Sequence, residues 1–357
     1  MSEAALTDRE RAVLDAVIRI YVETAEPAGS RTVARRHRLG VSPATVRNTM
    51  ADLEEKGFLF HPHTSAGRVP TDQAYRYYVD TLMRPHRLTA AERQKLRLEL
   101  GEEIGPLERL VRRATQAMGL LTGELGVAIA PSVDEVVLER LELLALSSEK
   151  VLLVLTLRNG IVRTVFVDLP LSVPTETLLA VTLVLNERLA GQTMGEIRGS
   201  LPERLRDAAP RDDASASELL NIFLQSGEEL FDIQADEVHL GHTSVLASQP
   251  EFESGKDLRG LIELTERREL LASVLSRRES SPAVQIRIGA ENQEPELNGF
   301  TLVTGEYRVG DLSGVIGVIG PTRMPYDKVI AIVDSTSSLV SELYGPRTQG
   351  HERNSKD

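Results

Sequence analysis

The sequence predicts an α+β protein that opens with a helix-turn-helix closed by a β-hairpin wing. Three observations lead there. Between Pro27 and Ala51 the chain carries five arginines (Arg31, Arg35, Arg36, Arg38 and Arg47) and no Asp or Glu, although its formal net charge is −12. The same stretch is punctuated as two short helices about Gly40, a residue that ends helices cheaply. Farther on, short β-rich runs give way to helical stretches and then resume, the order of an α+β architecture.

The elements follow in order. A first helix spans about Thr7 to Thr24, with Thr7 and Glu10 in capping-box spacing and Leu14, Val17, Ile18 and Tyr21 forming an i, i+3, i+4, i+7 stripe. Glu26-Pro27 ends it. Ser30 can cap a short second helix, SRTVARRHRL, and Ser42-Pro43 supply the N-cap and first-turn proline of a third that runs to Lys56, with Gly57 as its stop. Phe58, Leu59 and Phe60, the loop HPHTSAGR and Val69-Pro70 read as a strand, a turn at Gly67 and a returning strand. Three helices and a hairpin make a winged helix, residues 1–84. A further helix from Thr71 puts Tyr75, Tyr78, Val79 and Leu82 on one face, which leaves Tyr77 to meet a partner subunit.

Pro85 opens a stretch of connecting helices, residues 85–125, where Thr89 and Glu92 repeat the capping-box spacing. Residues 126–344 read as one domain. Its strand-like runs LERLELLAL, VLLVLTL and IVRTVFVDL are followed by helices in an insertion at about 170–278, then by AVQIRIG, TLVTGEYR and SGVIGVIG and an amphipathic helix from Tyr326 to Tyr344. The polar tail, 345–357, is expected to be disordered.

Composition removes whole classes of chemistry. With no cysteine, the chain has no disulfide, thiolate nucleophile or iron-sulfur cluster, which fits a reducing cytosol. The opening MSEAALTDRE lacks the basic and apolar regions of a signal peptide, and the longest aliphatic run, Val151 to Leu157, is too short to span a bilayer. A cytoplasmic protein without membrane contact is expected. Residues 1–84 hold 12 Lys+Arg against 11 Asp+Glu, whereas the remainder holds 29 against 42. Only the first segment can face a polyanion; the rest must orient it, dimerise it or sense something.

On a helical wheel, Val46, Met50 and Leu53 share one side of the third helix, with Ala44, Asn48 and Ala51 opposite and Thr45 and Arg47 flanking the outer face. Such a face suits a major groove: alanines touch thymine methyls, Asn pairs with adenine and Arg with guanine. Its acids, Asp52, Glu54 and Glu55, lie toward the C-terminal half, so the N-terminal half enters. Ser42 reads as a cap that also meets a phosphate, and Arg31, Arg35 and Arg36 as phosphate contacts, while Arg38 can be no more than solvated. Arg68, beside Gly67, would enter a minor groove or hold a phosphate.

His61 and His63 could share one side of a strand, but no third ligand is near, so a histidine donating to phosphate or packing on the core is the better reading and no metal is expected. Gly314, Gly317 and Gly320 lie in and just after an apolar strand-like run and read as structural glycines rather than a phosphate cradle. No nucleophile, acid-base pair or triad emerges. Neither an enzyme nor a cofactor is expected.

The run from Val41 to Asp80, VSPATVRNTMADLEEKGFLFHPHTSAGRVPTDQAYRYYVD, closely resembles the N-terminal signature of the HrcA family of bacterial heat-inducible transcription repressors. HTSAGRVPT, His63 to Thr71, is its most specific part. Ile286 to Tyr307 and Gly314 to Ile330 resemble the family's C-terminal segments, and the match is weakest around Leu201 to Glu253. The resemblance implies a winged helix joined to a GAF-like domain with an inserted dimerising domain. It also implies a homodimer on an inverted-repeat operator, CIRCE, upstream of chaperone operons, with the chaperonin GroEL promoting the active state. Operator reading then belongs to Ala44, Thr45, Arg47 and Asn48, and backbone and wing contacts to Arg31, Arg35, Arg36, Ser42, His63 and Arg68.

Overall fold

The computed structural model describes residues 6–344 except 37–39, 63–66, 102–106, 132–133, 135, 159–161, 170–172, 207, 209–213, 232–237, 254, 278–282 and 311. The first helix, α1 (Asp8–Thr24), starts with a reciprocal cap: the Thr7 hydroxyl accepts from the Glu10 amide at 3.3 Å, and the Glu10 carboxylate accepts from the Thr7 amide at 2.8 Å. Glu10 also accepts from Lys56 Nζ at 2.6 Å, and this bond, together with the Thr7 amide, holds its carboxyl below the usual range. Helix α2 (Ser30–Arg36) begins at Ser30 itself. Helix α3 (Pro43–Glu55) has Ser42 as its N-cap and proline in its first turn, and it buries Val46, Met50 and Leu53. Gly40 and Gly57, at φ +68° and +80°, make the turns on either side of it.

Strands β1 (Leu59–Phe60) and β2 (Val69–Pro70) pair antiparallel, Leu59 with Pro70 and Phe60 with Val69. Ala28 and Arg68 exchange backbone hydrogen bonds at 2.9 and 3.0 Å, so the segment before α2 lies against the hairpin. Gly67 permits that approach: a Cβ there would sit 2.4 Å from the Ala28 carbonyl. Gly67→Ala should therefore destabilise this segment by about 1–3 kcal/mol, the range for an overpacked site. A thermal melt of the full chain checks it; an unchanged transition would show that the hairpin moves away freely.

Helix α4 (Asp72–Tyr77), capped by the Thr71 hydroxyl, runs on into a π-helical turn at Tyr78–Leu82. Tyr77, expected to point away from that face, is half-buried. Its ring, at the end of α4, lies edge-on to Phe58 at 5.4 Å. Helices α5 (Ala90–Leu100) and α6 (Leu107–Thr122) follow, α5 with the Thr89–Glu92 capping box, and Leu96, Leu100, Val111, Ala114 and Met118 are buried. Strand β3 (Leu125–Ile129) is buried along its whole length.

The chain next forms a second compact unit, residues 131–237 with 309–313. Strands β4 (Leu138–Ala145), β5 (Lys150–Leu157) and β6 (Val162–Asp168) make an antiparallel meander in the order β4-β5-β6. The division falls upstream of the 170–278 insertion expected from the sequence. These strands form a sheet of their own, and β5, flanked on both sides, sends Val151, Leu153, Leu155 and Leu157 into a core with Leu178, Val181 and Leu185. Those leucines belong to helix α7 (Thr175–Leu189); helices α8 (Met194–Leu205), α9 (Ala214–Gln225) and α10 (Gly227–Phe231) add Ile197, Leu219 and Phe231.

The first unit then resumes with β7 (Val238–Leu240), α11 (Ser244–Ala247), α12 (Gly255–Glu266), α13 (Arg268–Ser276), β8 (Val284–Ile288), β9 (Phe300–Val309), β10 (Leu312–Pro321) and α14 (Tyr326–Tyr344). Its sheet has the order β7-β3-β10-β9-β8. Leu125, Val127 and Ile129 on one face of β3 pack with Leu261, Leu264, Leu271 and Val274 of α12 and α13. The glycines of β10 are packing residues: Cβ atoms at Gly314, Gly317 and Gly320 would meet the Tyr307 ring, the Val303 carbonyl and the Glu124 carboxylate.

Two polar clamps join the N-terminal elements to this sheet within the first unit. Arg76 of α4 donates to both oxygens of Glu291, at 2.9 and 2.5 Å, and to the Ile286 carbonyl at 2.7 Å, while Asp72 accepts from the Ala290 amide. Arg323, after β10, grips Glu251 with two nitrogens and donates to the Val22 carbonyl of α1 at 2.7 Å.

Candidate nucleic-acid interface

Helix α3 is positioned by its own inner face. Val46 and Leu53 are fully buried, as Met50 nearly is, which fixes the rotation of the helix and turns Ala44, Arg47 and Asn48 outward as exposed residues. Thr45 is half-buried. Its amide donates to the Ser42 hydroxyl at 3.2 Å, and the two hydroxyls lie 3.0 Å apart, so both side chains are tied into the cap. The exposed set thus narrows to Ala44, Arg47 and Asn48, with Thr45 at its edge. Asn48 and Ala44 lie one turn apart and Arg47 beside them, so one amide and one guanidinium flank a small apolar patch.

On α2, Arg31, Arg35 and Arg36 are all exposed. Arg36 is paired with Glu23 of α1 at 2.9 Å, an exposed bridge that a phosphate can displace at little cost. No ion pair to a described residue holds Arg31, Arg35 or Arg47. Three guanidiniums on adjoining helices, without carboxylate partners among the described residues, make a positive surface on an acidic chain.

The β1–β2 hairpin places Arg68 otherwise than its sequence suggests. Arg68 does not project freely: it bonds Glu54 of α3 at 2.7 Å, and its side chain is only 19% exposed. A bridge of that kind needs a hairpin that folds back over α3, a long-range fact with no local signature beyond the i, i+14 spacing. Arg68 therefore braces hairpin and helix, and a phosphate contact would require the Glu54 bond to open. His63 and Arg38 lie outside the described residues. Among the described residues, no cluster of three or more His, Asp or Glu is placed to hold a metal. Sequence reasoning also passed over Lys56, Asp72, Arg76, Glu251, Glu291 and Arg323, which anchor these elements; only the i, i+4 placement of Asp72 and Arg76 on one helix hinted at a shared role.

The family model for the HrcA protein C-terminal domain matches residues 108–330. A heat-inducible transcription repressor HrcA of Geobacter sulfurreducens is 37% identical over 340 residues, covering 95% of this chain and 98% of its own. That of Symbiobacterium thermophilum is 38% identical over 339 residues, again covering 95% and 98%. A crystal structure described as a hypothetical protein shares the fold with a TM-score of 0.70 at 22% identity, over 95% of this chain and 99% of that one. Both relatives align over nearly the whole of each chain, and the chain accordingly belongs to the HrcA family of heat-inducible transcription repressors.

Proposed function

We propose that this repressor reads an inverted-repeat operator of the CIRCE type with Ala44, Thr45, Arg47 and Asn48 of α3 in the major groove. Arg31, Arg35, Arg36, Ser42 and His63 hold phosphates in this reading, and Arg68 joins them once it leaves Glu54. The observation that carries it is the exposed Ala44–Arg47–Asn48 face beside Arg31 and Arg35, which have no ion-pair partner among the described residues, in a stretch with five arginines and no acid. Residues 1–84 are then a winged helix, the five-stranded sheet a GAF-like body, and the β4–β6 unit its dimerising insertion. As a transcription repressor the chain is not an enzyme.

Asn48→Ala and Arg47→Ala should each cost about 1–3 kcal/mol of operator binding and much less on scrambled DNA. Arg35→Ala should weaken both DNAs alike and flatten the salt dependence by about one phosphate contact. Titration of labelled duplexes at several salt concentrations checks both. Equal losses on operator and scrambled DNA for the Asn48 variant would remove it from base reading.

Heat control fits a repressor whose folded dimer is itself the sensor. The chain has no cysteine, so no thiol switch operates. Warming would open the molecule and uncover alternating apolar strands such as β5, the kind of surface a chaperonin captures. GroEL would then return the chain to the active state when it is not occupied by other unfolded clients. Purified repressor should lose operator binding on mild warming and regain it with chaperonin and ATP; indifference to chaperonin would exclude this route.

A further inference from the structure

A cavity of about 560 Å³ lies where the N-terminal elements meet the five-stranded sheet, within the first compact unit. One wall is Tyr21 of α1, Phe60 of β1 and Tyr75 of α4; the other includes Phe252, Phe300 and Arg323. Five aromatic side chains thus border it, and Phe252 and Phe300 stack with their rings 5.8 Å apart. That volume is in the range of small-molecule sites, and the lining is of their kind: apolar walls with a few placed polar groups.

The polar groups narrow what fits. Arg323 is already engaged by both oxygens of Glu251 and by the Val22 carbonyl, and Asp72 adds a further negative charge to the lining. Among the described lining residues no cationic group is left over for a carboxylate or phosphate. Tyr75 is the exception among the engaged groups. It is 1% exposed, and its hydroxyl is buried with no hydrogen-bond partner among the described residues. Burial also pushes its ionisation far above the ordinary phenol value, so it stays a donor, and a buried donor without an acceptor costs stability that a ligand acceptor would restore.

We propose that this cavity binds a small uncharged aromatic molecule, with a carbonyl or hydroxyl oxygen of that molecule accepting from Tyr75. Such a ligand touches α1, β1 and α4 on one side and the sheet on the other, so binding fixes the DNA-facing elements relative to the sheet and is linked to operator affinity. The site stands on the cavity and Tyr75 alone; only the linkage rests on the DNA-binding reading above.

The chain contains no tryptophan, so the emission of an indole probe is separate from that of the protein. N-acetyltryptophanamide, an uncharged aromatic amide, should bind the full-length repressor saturably, and benzamide should displace it. Tyr75→Phe keeps the ring and removes the donor; it should weaken the probe about 3- to 10-fold without lowering the melting temperature. Gly299 lines the cavity, and a Cβ there meets nothing within 4 Å, so Gly299→Leu should fill the space and abolish binding in a folded chain. No saturable binding up to millimolar probe, or affinity unchanged in both variants, overturns the site. If saturating probe leaves operator affinity unchanged, the linkage falls and the site stands.

Discussion

Phe166→Glu should leave the repressor folded but monomeric, and should weaken operator binding by about a hundredfold or more, the scale set by losing the second half-site of a bivalent complex. The motive is the outer face of the β4–β6 sheet. Register pairs Leu144 with Leu152 and Leu152 with Phe166, a row of apolar side chains across all three strands. Leu144 is 48% and Phe166 68% exposed, and Val162, on the same face of β6, is 56% exposed. Single exposed apolar residues need no explanation, whereas a contiguous row on a sheet whose other face is the core suits a second copy of the chain. Because Phe166 is exposed, replacing it costs the isolated subunit little. Sedimentation with and without operator DNA checks the result, and Phe166→Leu serves as the control that keeps the dimer. A Phe166→Glu variant that remains dimeric would move the interface elsewhere, and a native chain that binds its operator as a monomer would overturn the dimer itself.

The second large effect concerns Glu124, which precedes β3 and is 3% exposed. Burial raises its pKa from the ordinary 4.5 to about 8, against smaller opposing contributions from the Gln249 amide at 3.1 Å and the Arg323 charge. Nearby Glu251 pushes in the same direction as burial. The folded state thus holds a proton that the unfolded chain gives up above pH 4.5. The contribution of Glu124 to stability should therefore fall as pH rises from about 4.5 to about 8 and level off beyond, because in that window this group keeps its proton in the native state. At about 1.4 kcal/mol per pKa unit, the full loss is on the order of 5 kcal/mol. Glu124→Gln keeps the shape and an acceptor for Gln249, removes the ionisation, and should leave a chain markedly more stable than the native one at pH 8.5 and little changed at pH 5. Urea unfolding at pH 5, 7 and 8.5 decides it. Parallel pH profiles for the two proteins would mean that Glu124 ionises in the folded state without penalty.

What the sequence determined by itself was set by local physics. Capping pairs Thr7–Glu10 and Thr89–Glu92, the Ser42-Pro43 start of α3 and the apolar stripe of Val46, Met50 and Leu53 act within one or two helical turns, so their residue types suffice to place those helices and their inner faces. The arginine-rich, acid-free stretch is likewise a property of composition. Arg68 shows the limit: its partner, Glu54, is reached only once the hairpin folds over α3, and nothing in HTSAGRVPT announces that closure. The same holds for the division of the chain. LERLELLAL and VLLVLTL read as strands, but whether β5 joins the β8–β10 sheet or pairs with β4 and β6 is a choice among backbone partners that look alike in sequence. Tertiary packing made that choice, because the leucines of α7 cover the inner face of β5. It also made the Arg76–Glu291 and Arg323–Glu251 clamps and the cavity beside Tyr75, each assembled from residues more than fifty positions apart, whose chemistry exists only where the folded chain brings them together.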